Sequence, residues 1–147
     1  WASTGGADSQ GNAVKYMLDT NICVNLIKKK PESVLMNLQA NMADGVAISA
    51  MTLAELMHGV KASSYPERNM LALHQFLSIV RILPFDDEAA AEYGKIGALL
   101  RRQGTPIGVM DMLIAAHAKA KRLIVVTNNV REFERIDGLL LDNWVQD

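Results

Sequence analysis

Val14-Lys15-Tyr16-Met17-Leu18-Asp19-Thr20-Asn21 decides how this chain is read: an apolar, β-rich run ends on an acid followed by two turn-forming residues. The pattern predicts a strand over 14–18 and a helix opening after Asp19-Thr20-Asn21, which leaves Asp19 at a strand's carboxyl end. The same alternation recurs downstream. Val46-Ala47-Ile48-Ser49 is a second strand leading into a helix from about Thr52, and another helix follows Pro66 with Leu73, Phe76, Leu77 and Val80 at core-facing spacing. Arg81 to Phe85 is a short strand broken by Pro84, and the helix after it runs from Asp86 to a stop at Gly104. Its apolar stripe is Ala89, Tyr93, Ile96 and Leu100. Beyond Gly104-Thr105-Pro106 come an apolar helix carrying Asp111, the strand Leu123-Ile124-Val125-Val126 and the turn Thr127-Asn128-Asn129. Leu139-Leu140-Leu141 adds an edge strand. Strands separated by helices imply a mainly parallel sheet covered on both faces, so the expected fold is α/β, a three-layer α/β/α domain.

A length of 147 residues, half of them hydrophobic and 21% charged, suits one folded domain and excludes global disorder. No apolar run reaches the roughly 18 residues of a membrane span, so a soluble protein with no membrane partner is expected, and the single cysteine fits a reducing compartment, with the cytoplasm as the expected location. With 15 basic against 16 acidic residues and a net charge of -1, the whole-molecule field does not attract polyanions; any such contact must be local. The single cysteine, Cys23, excludes an intrachain disulfide and a multi-cysteine metal site, and its apolar helix makes it a core residue. Residues 1–13 are rich in Gly, Ser and Ala and are expected to be a disordered or foreign tail, with the domain at 14–147.

Parallel sheets hold their sites beyond the carboxyl ends of the strands, which selects Asp19, Glu55 and Asn129. Asp111 joins them because its apolar helical segment, Ile107 to Ile114, makes an unpartnered carboxylate costly. Each also has a structural role open to it. Thr52-Leu53-Ala54-Glu55 matches a capping box, Asp19 suits a helix cap, and Asp111 suits the positive end of a helix dipole. Three converging acids would repel one another unless a cation neutralised them, and carboxylate oxygens suit Mg²⁺ or Mn²⁺. Such an ion supports phosphodiester hydrolysis without a dedicated nucleophile. His58, His74 and His117 show no ligand spacing, and Met36, Met42, Met51, Met57 and Met70 are expected as adaptable core, with a Met-rich groove that accepts a foreign helix as the alternative. Lys28-Lys29-Lys30 and Lys119 to Arg122 are expected to be solvated surface, with phosphate contact as the alternative, while Arg101 and Arg102 are candidate substrate contacts or dipole partners.

Four stretches, in order, carry a resemblance: Met17-Leu18-Asp19-Thr20-Asn21; Thr52-Leu53-Ala54-Glu55-Leu56; Gly108-Val109-Met110-Asp111-Met112-Leu113-Ile114-Ala115-Ala116-His117-Ala118; and Val126-Thr127-Asn128-Asn129-Val130-Arg131-Glu132-Phe133. They resemble the PIN-domain family over about residues 15–144, and within it the VapC toxins of VapBC toxin–antitoxin systems. The resemblance implies a PIN-like ribonuclease domain: an Mg²⁺- or Mn²⁺-dependent endoribonuclease toxin of a type II system. Its RNA substrate would be tRNA, initiator tRNA in particular, cut to inhibit translation. A VapB-type antitoxin would hold it inactive, with a toxin homodimer, a toxin–antitoxin hetero-oligomer and operator DNA bound through the antitoxin. By matching position, Asp19, Glu55 and Asp111 would be metal ligands. Asn129 stands where many relatives have a fourth acid, which lowers the charge available to a second metal and leaves the amide to orient water or substrate. Glu132 falls on a position often acidic in the family, or is an ordinary helix-start carboxylate. Thr20, Asn21 and Thr127 would support the acids or form turns and caps. Two other readings stand beside this one: a noncatalytic phosphoacceptor, which would want paired acids and a strand-end Lys, and a PIN-like nucleic-acid-binding module without useful metal affinity.

Overall fold

Along Tyr16-Met17-Leu18 successive side chains leave the backbone on opposite sides, and all three are buried, so the strand lies between two hydrophobic layers. The computed structural model describes residues 6–7 and 13–146. Its strands are β1 (Gly6–Ala7), β2 (Ala13–Val14), β3 (Tyr16–Leu18), β4 (Val46–Ser49), β5 (Arg81–Leu83), β6 (Ile124–Val126) and β7 (Leu140–Asp142). Its helices are α1 (Thr20–Lys28), α2 (Glu32–Asn41), α3 (Ala50–Lys61), α4 (Pro66–Leu77), α5 (Asp87–Gln103), α6 (Val109–Lys121) and α7 (Val130–Phe133), with a 3-10 turn at Met42–Asp44. The last five strands form one parallel sheet in the order β5-β4-β3-β6-β7, with Met17 in register between Ala47 and Val125. Tyr16, Leu18, Val46, Ile48 and Val126 meet α1–α4 and Trp144 on one face. Met17, Ala47, Leu83 and Val125 meet α5, α6 and Phe133 of α7 on the other. This is the three-layer α/β/α arrangement, and the small buried residues Ala115, Ala116 and Ala118 let α6 lie close on the sheet.

Strand order positions the site. From β3 the chain builds outward through β4 and β5, then returns to add β6 on the other side of β3, so the carboxyl ends of β3 and β6 flank a topological switch point. The Asp19 N–H donates to the Val126 carbonyl at 3.0 Å and ties those two ends together.

Several local expectations are corrected. The strand drawn over 14–18 breaks at Lys15: Val14 pairs with Gly6 in a separate antiparallel ribbon, while the N–H groups of Lys15 and Tyr16 both donate to the Gly45 carbonyl. Gly45 has φ 88°, and a Cβ there would lie 2.1 Å from the Ala13 carbonyl oxygen, so this close approach requires glycine. Helix α2 and the 3-10 turn escaped the sequence reading because α2 buries only Val34 and Leu38. The expected methionine core fails at Met36, Met42 and Met57, which are exposed by 60%, 38% and 38%; Met51 and Met70 are half-buried. Lys119 and Lys121 are not simply solvated. Lys121 pairs with Asp86 at 2.6 Å and Glu88 at 3.5 Å, and Lys119 lies 3.8 Å from Glu92 and donates to the Asp137 carbonyl. Of the expected tail over 1–13, residues 1–5 and 8–12 lie outside the described residues.

Candidate functional site

Asp19 follows β3 directly and caps α1. Its Oδ1 accepts the Ile22 N–H at 2.8 Å, and its side chain is buried. Burial pushes its carboxyl above the usual range and the Glu55 charge acts in the same direction, against hydrogen bonds from the Thr127 hydroxyl and the Ile22 N–H. The cap and the site are therefore the same carboxylate, one oxygen of which is committed to the backbone. Thr127, fully buried at the end of β6, donates to Asp19 and accepts the Asn129 N–H at 2.8 Å.

Asp111 enters from the first turn of α6, half-buried, and its carboxyl is pushed up to about 6 by burial and then by the charges of Glu132 and Asp19. The Asn129 side-chain amide donates to Asp111 Oδ2 at 3.3 Å and to Glu132 Oε2 at 2.6 Å. The other oxygen of Glu132 accepts the Gly108 N–H at 2.8 Å, which holds this carboxyl below its ordinary range and pins α7 to the start of α6. Glu132 is thus more than a helix-start carboxylate. Gly108, which the sequence reading did not single out, supplies its anchor; the only signal was a glycine immediately before the Asp111 helix.

For Glu55 the capping-box reading is overturned. Helix α3 starts at Ala50, Ser49 Oγ accepts the Met51 N–H at 3.1 Å, and Thr52 is fully buried with its hydroxyl unpartnered. Glu55 sits in the second turn, half-buried, beside Thr20 and Leu56 in a cavity of about 450 Å³. Glu55→Gln should therefore leave unfolding by urea within about 0.5 kcal/mol of the wild type, whereas losing a true cap costs about 1 kcal/mol.

The remaining candidates divide. Thr20 lies beside Asp19 with its hydroxyl buried and unpartnered, and Asn21 lines a polar cavity of about 470 Å³ with Asn128 and Asn129. Arg101 and Arg102 lie at the exposed end of α5 in a separate hollow with Tyr93 and Gly97, and among the described residues they make no contact with the acids. His58 and His74 are exposed, while His117 is fully buried on α6 with Nδ1 2.8 Å from Ser49 Oγ. Cys23 is a buried thiol, pushed well above its usual range by burial.

Tertiary structure thus gathers Asp19, Asp111, Asn129 and Glu132 from three distant segments, with Glu55 near enough to act on Asp19 electrostatically. Among the described residues no three His, Cys, Asp or Glu side chains converge tightly enough to enclose an ion. Mg²⁺ needs no such cage. It takes one or two carboxylates, keeps several waters and favours hard oxygen donors, and the side chains gathered here offer carboxylate and amide groups without thiolate or imidazole. Burial raises Asp111 most and the Glu132 and Asp19 charges raise it further; a divalent cation would relieve that repulsion, so the residues fit such an ion. No helix of the described residues is long and apolar enough to cross a membrane.

Comparison with known proteins places this geometry among relatives. The PIN domain family profile matches residues 16–139. The tRNA(fMet)-specific endonuclease VapC of Shigella flexneri is 47% identical over 131 residues, covering 89% of this chain and 98% of that protein. Ribonuclease VapC2 of Haemophilus influenzae (strain ATCC 51907 / DSM 11121 / KW20 / Rd) is 46% identical over 132 residues, covering 90% and 99%. The crystal structure of VapBC2 from Rickettsia felis bound to a DNA fragment from their promoter contains a chain that superposes with a TM-score of 0.86 at 43% identity, covering 90% of this chain and all of that one.

Proposed function

Because this chain belongs to the PIN-domain family, with VapC ribonucleases among its relatives, we propose that it is a VapC-type endoribonuclease toxin that hydrolyses tRNA, initiator tRNA in particular, and so stops translation in the cytoplasm. The observation that carries the reading is the convergence of Asp19, Asp111, Asn129 and Glu132 at the switch point between β3 and β6. The name of the Shigella relative supports the tRNA(fMet) substrate. The Rickettsia complex supports a VapB-type antitoxin as partner, in a hetero-oligomer that meets promoter DNA.

In this reading Asp19 and Asp111, with Glu55 beside them, would hold Mg²⁺ or Mn²⁺, which would supply Lewis-acid polarisation of the scissile phosphate and charge compensation for the leaving oxygen. The chain's own residues do the positioning. Thr127 and the Ile22 N–H fix the Asp19 carboxylate, so its orientation is set before substrate arrives. Asn129 holds Asp111 and Glu132 at a set spacing, and the Gly108 N–H keeps Glu132 from swinging away. The carboxylates gathered around Asn129 orient the attacking water, and one of them accepts its proton. The water oxygen bonds to phosphorus, the bond from phosphorus to the leaving ribose oxygen breaks, and that oxygen takes up a proton.

The test incubates antitoxin-free protein with initiator tRNA, elongator tRNAs and duplex DNA in Mg²⁺, Mn²⁺ or EDTA, with products read at nucleotide resolution. Discrete cuts in initiator tRNA, lost by about 10²-fold or more in EDTA and in Asp19→Asn, are expected. Folded protein that cuts no RNA overturns the proposal.

A further inference from the structure

Against the acid cluster lies the cavity of about 470 Å³, and the mechanism above leaves it without a role. Its walls are Asn21, Val24, Asn25 and Lys28 of α1, Asn128 and Asn129 of the loop after β6, and Val145 of the carboxyl-terminal segment. Asn129 is the shared wall: its amide nitrogen is bonded to Asp111 and Glu132 on the acid side. The other amides are half-spent. Asn25 uses a donor on the Lys30 carbonyl at 2.9 Å and keeps its oxygen, while Asn128 uses its oxygen on Asn143 at 3.2 Å and keeps its donors. Asn21 has no side-chain bond among the described residues and offers both. Among the described residues no acid and no aromatic ring lines the cavity, so it adds no charge to the acid cluster and offers hydrogen bonds in place of an aromatic stacking platform.

We infer that this cavity is the subsite for one unpaired nucleotide next to the scissile phosphate, resting on the ribonuclease reading above. Free amide donors and acceptors side by side suit the hydrogen-bonding edge of a nucleobase, as Asn suits adenine. Lys28, which also lines this open hollow, suits the flanking phosphate. Recognition of splayed-out bases by their edges is how sequence is read in RNA, whereas stacking alone is sequence-tolerant. The cavity therefore reads the identity of the base beside the cut.

The cut is mapped first on an initiator tRNA stem-loop, and an abasic nucleotide is then placed at each position flanking it. Wild-type protein should lose about tenfold or more in KM at one of the two positions, with kcat within about twofold. Asn21→Ala/Asn128→Ala should show that loss on the intact RNA and no further loss on the abasic one. Val145→Phe, which fills the cavity without removing an amide, should behave alike, and matching thermal unfolding excludes misfolding as the cause. The same comparison by fluorescence anisotropy in an Asp111→Asn background reads binding without cleavage, so the subsite stands or falls separately from the catalytic reading. Penalties that add, an absent abasic effect, or variants that weaken only antitoxin capture overturn the inference.

Discussion

Asp111→Asn is expected to lower RNA cleavage by about 10²–10³-fold while making the metal-free protein more stable at pH 7.5. The two effects share one cause. Asp111 is held in a half-buried position facing Glu132 and Asp19, so its carboxyl is pushed up to about 6 from 3.8. A carboxyl whose folded value exceeds its unfolded value is stabilising below the unfolded value and costs stability as pH rises through the folded one. Asparagine removes that cost and leaves an amide facing Asn129. Discounted for the carboxyl's partial exposure to solvent, the gain is about 1 kcal/mol above pH 6 and nothing below pH 4. Thermal unfolding in EDTA at pH 7.5 and pH 4, beside a cleavage assay, checks this. Added Mg²⁺ should reverse the order by stabilising the wild type alone. A variant that lost activity and stability together would mean that Asp111 is structural.

Acid should destabilise the wild type through His117 by about 3 kcal/mol more than it destabilises His117→Gln between pH 7 and pH 4. His117 is fully buried, packed edge-on to Phe85 at 5.4 Å, with Nδ1 2.8 Å from the Ser49 hydroxyl. Nε2 closes no hydrogen bond among the described residues, and the Pro84 backbone opposes the effect of burial only weakly. Burial lowers its value to about 4 and the Lys121 charge adds to this, with Asp86 opposing. A histidine lowered from 6.5 costs nothing above that pH, and its penalty accumulates as pH falls through 6.5 toward 4. Carboxylates titrating in the same window are common to both proteins and cancel in the difference. Urea unfolding at half-unit pH steps measures it, and parallel profiles would refute it. The contact also couples two acid-bearing helices, because Ser49 caps α3, which carries Glu55, and His117 belongs to α6, which carries Asp111.

Alternation in Tyr16-Met17-Leu18 and Val46-Ala47-Ile48, helix-spaced apolar residues after Pro66 and Asp86, and the αL stop at Gly104 are local properties. They were legible because one backbone geometry satisfies each of them. The acids at Asp19 and Asp111 were legible for a related reason: one ends a strand, and the other interrupts an apolar helix where a lone charge is costly. Where short-range rules competed, sequence pointed the wrong way. Thr52-Leu53-Ala54-Glu55 looked like a capping box, yet Ser49 ends β4 so close to α3 that it takes the cap and leaves Glu55 in the second turn. Whether Glu132 joined the site depended on Gly108, 24 residues away along the chain, and Asn129 reached Asp111 only because β6 returned beside β3. Those placements come from strand order and interhelical packing. Pairings between distant segments leave no periodic trace in the residues that make them, so the chain alone names the acids, and the packed sheet and helices choose which of them share a charge.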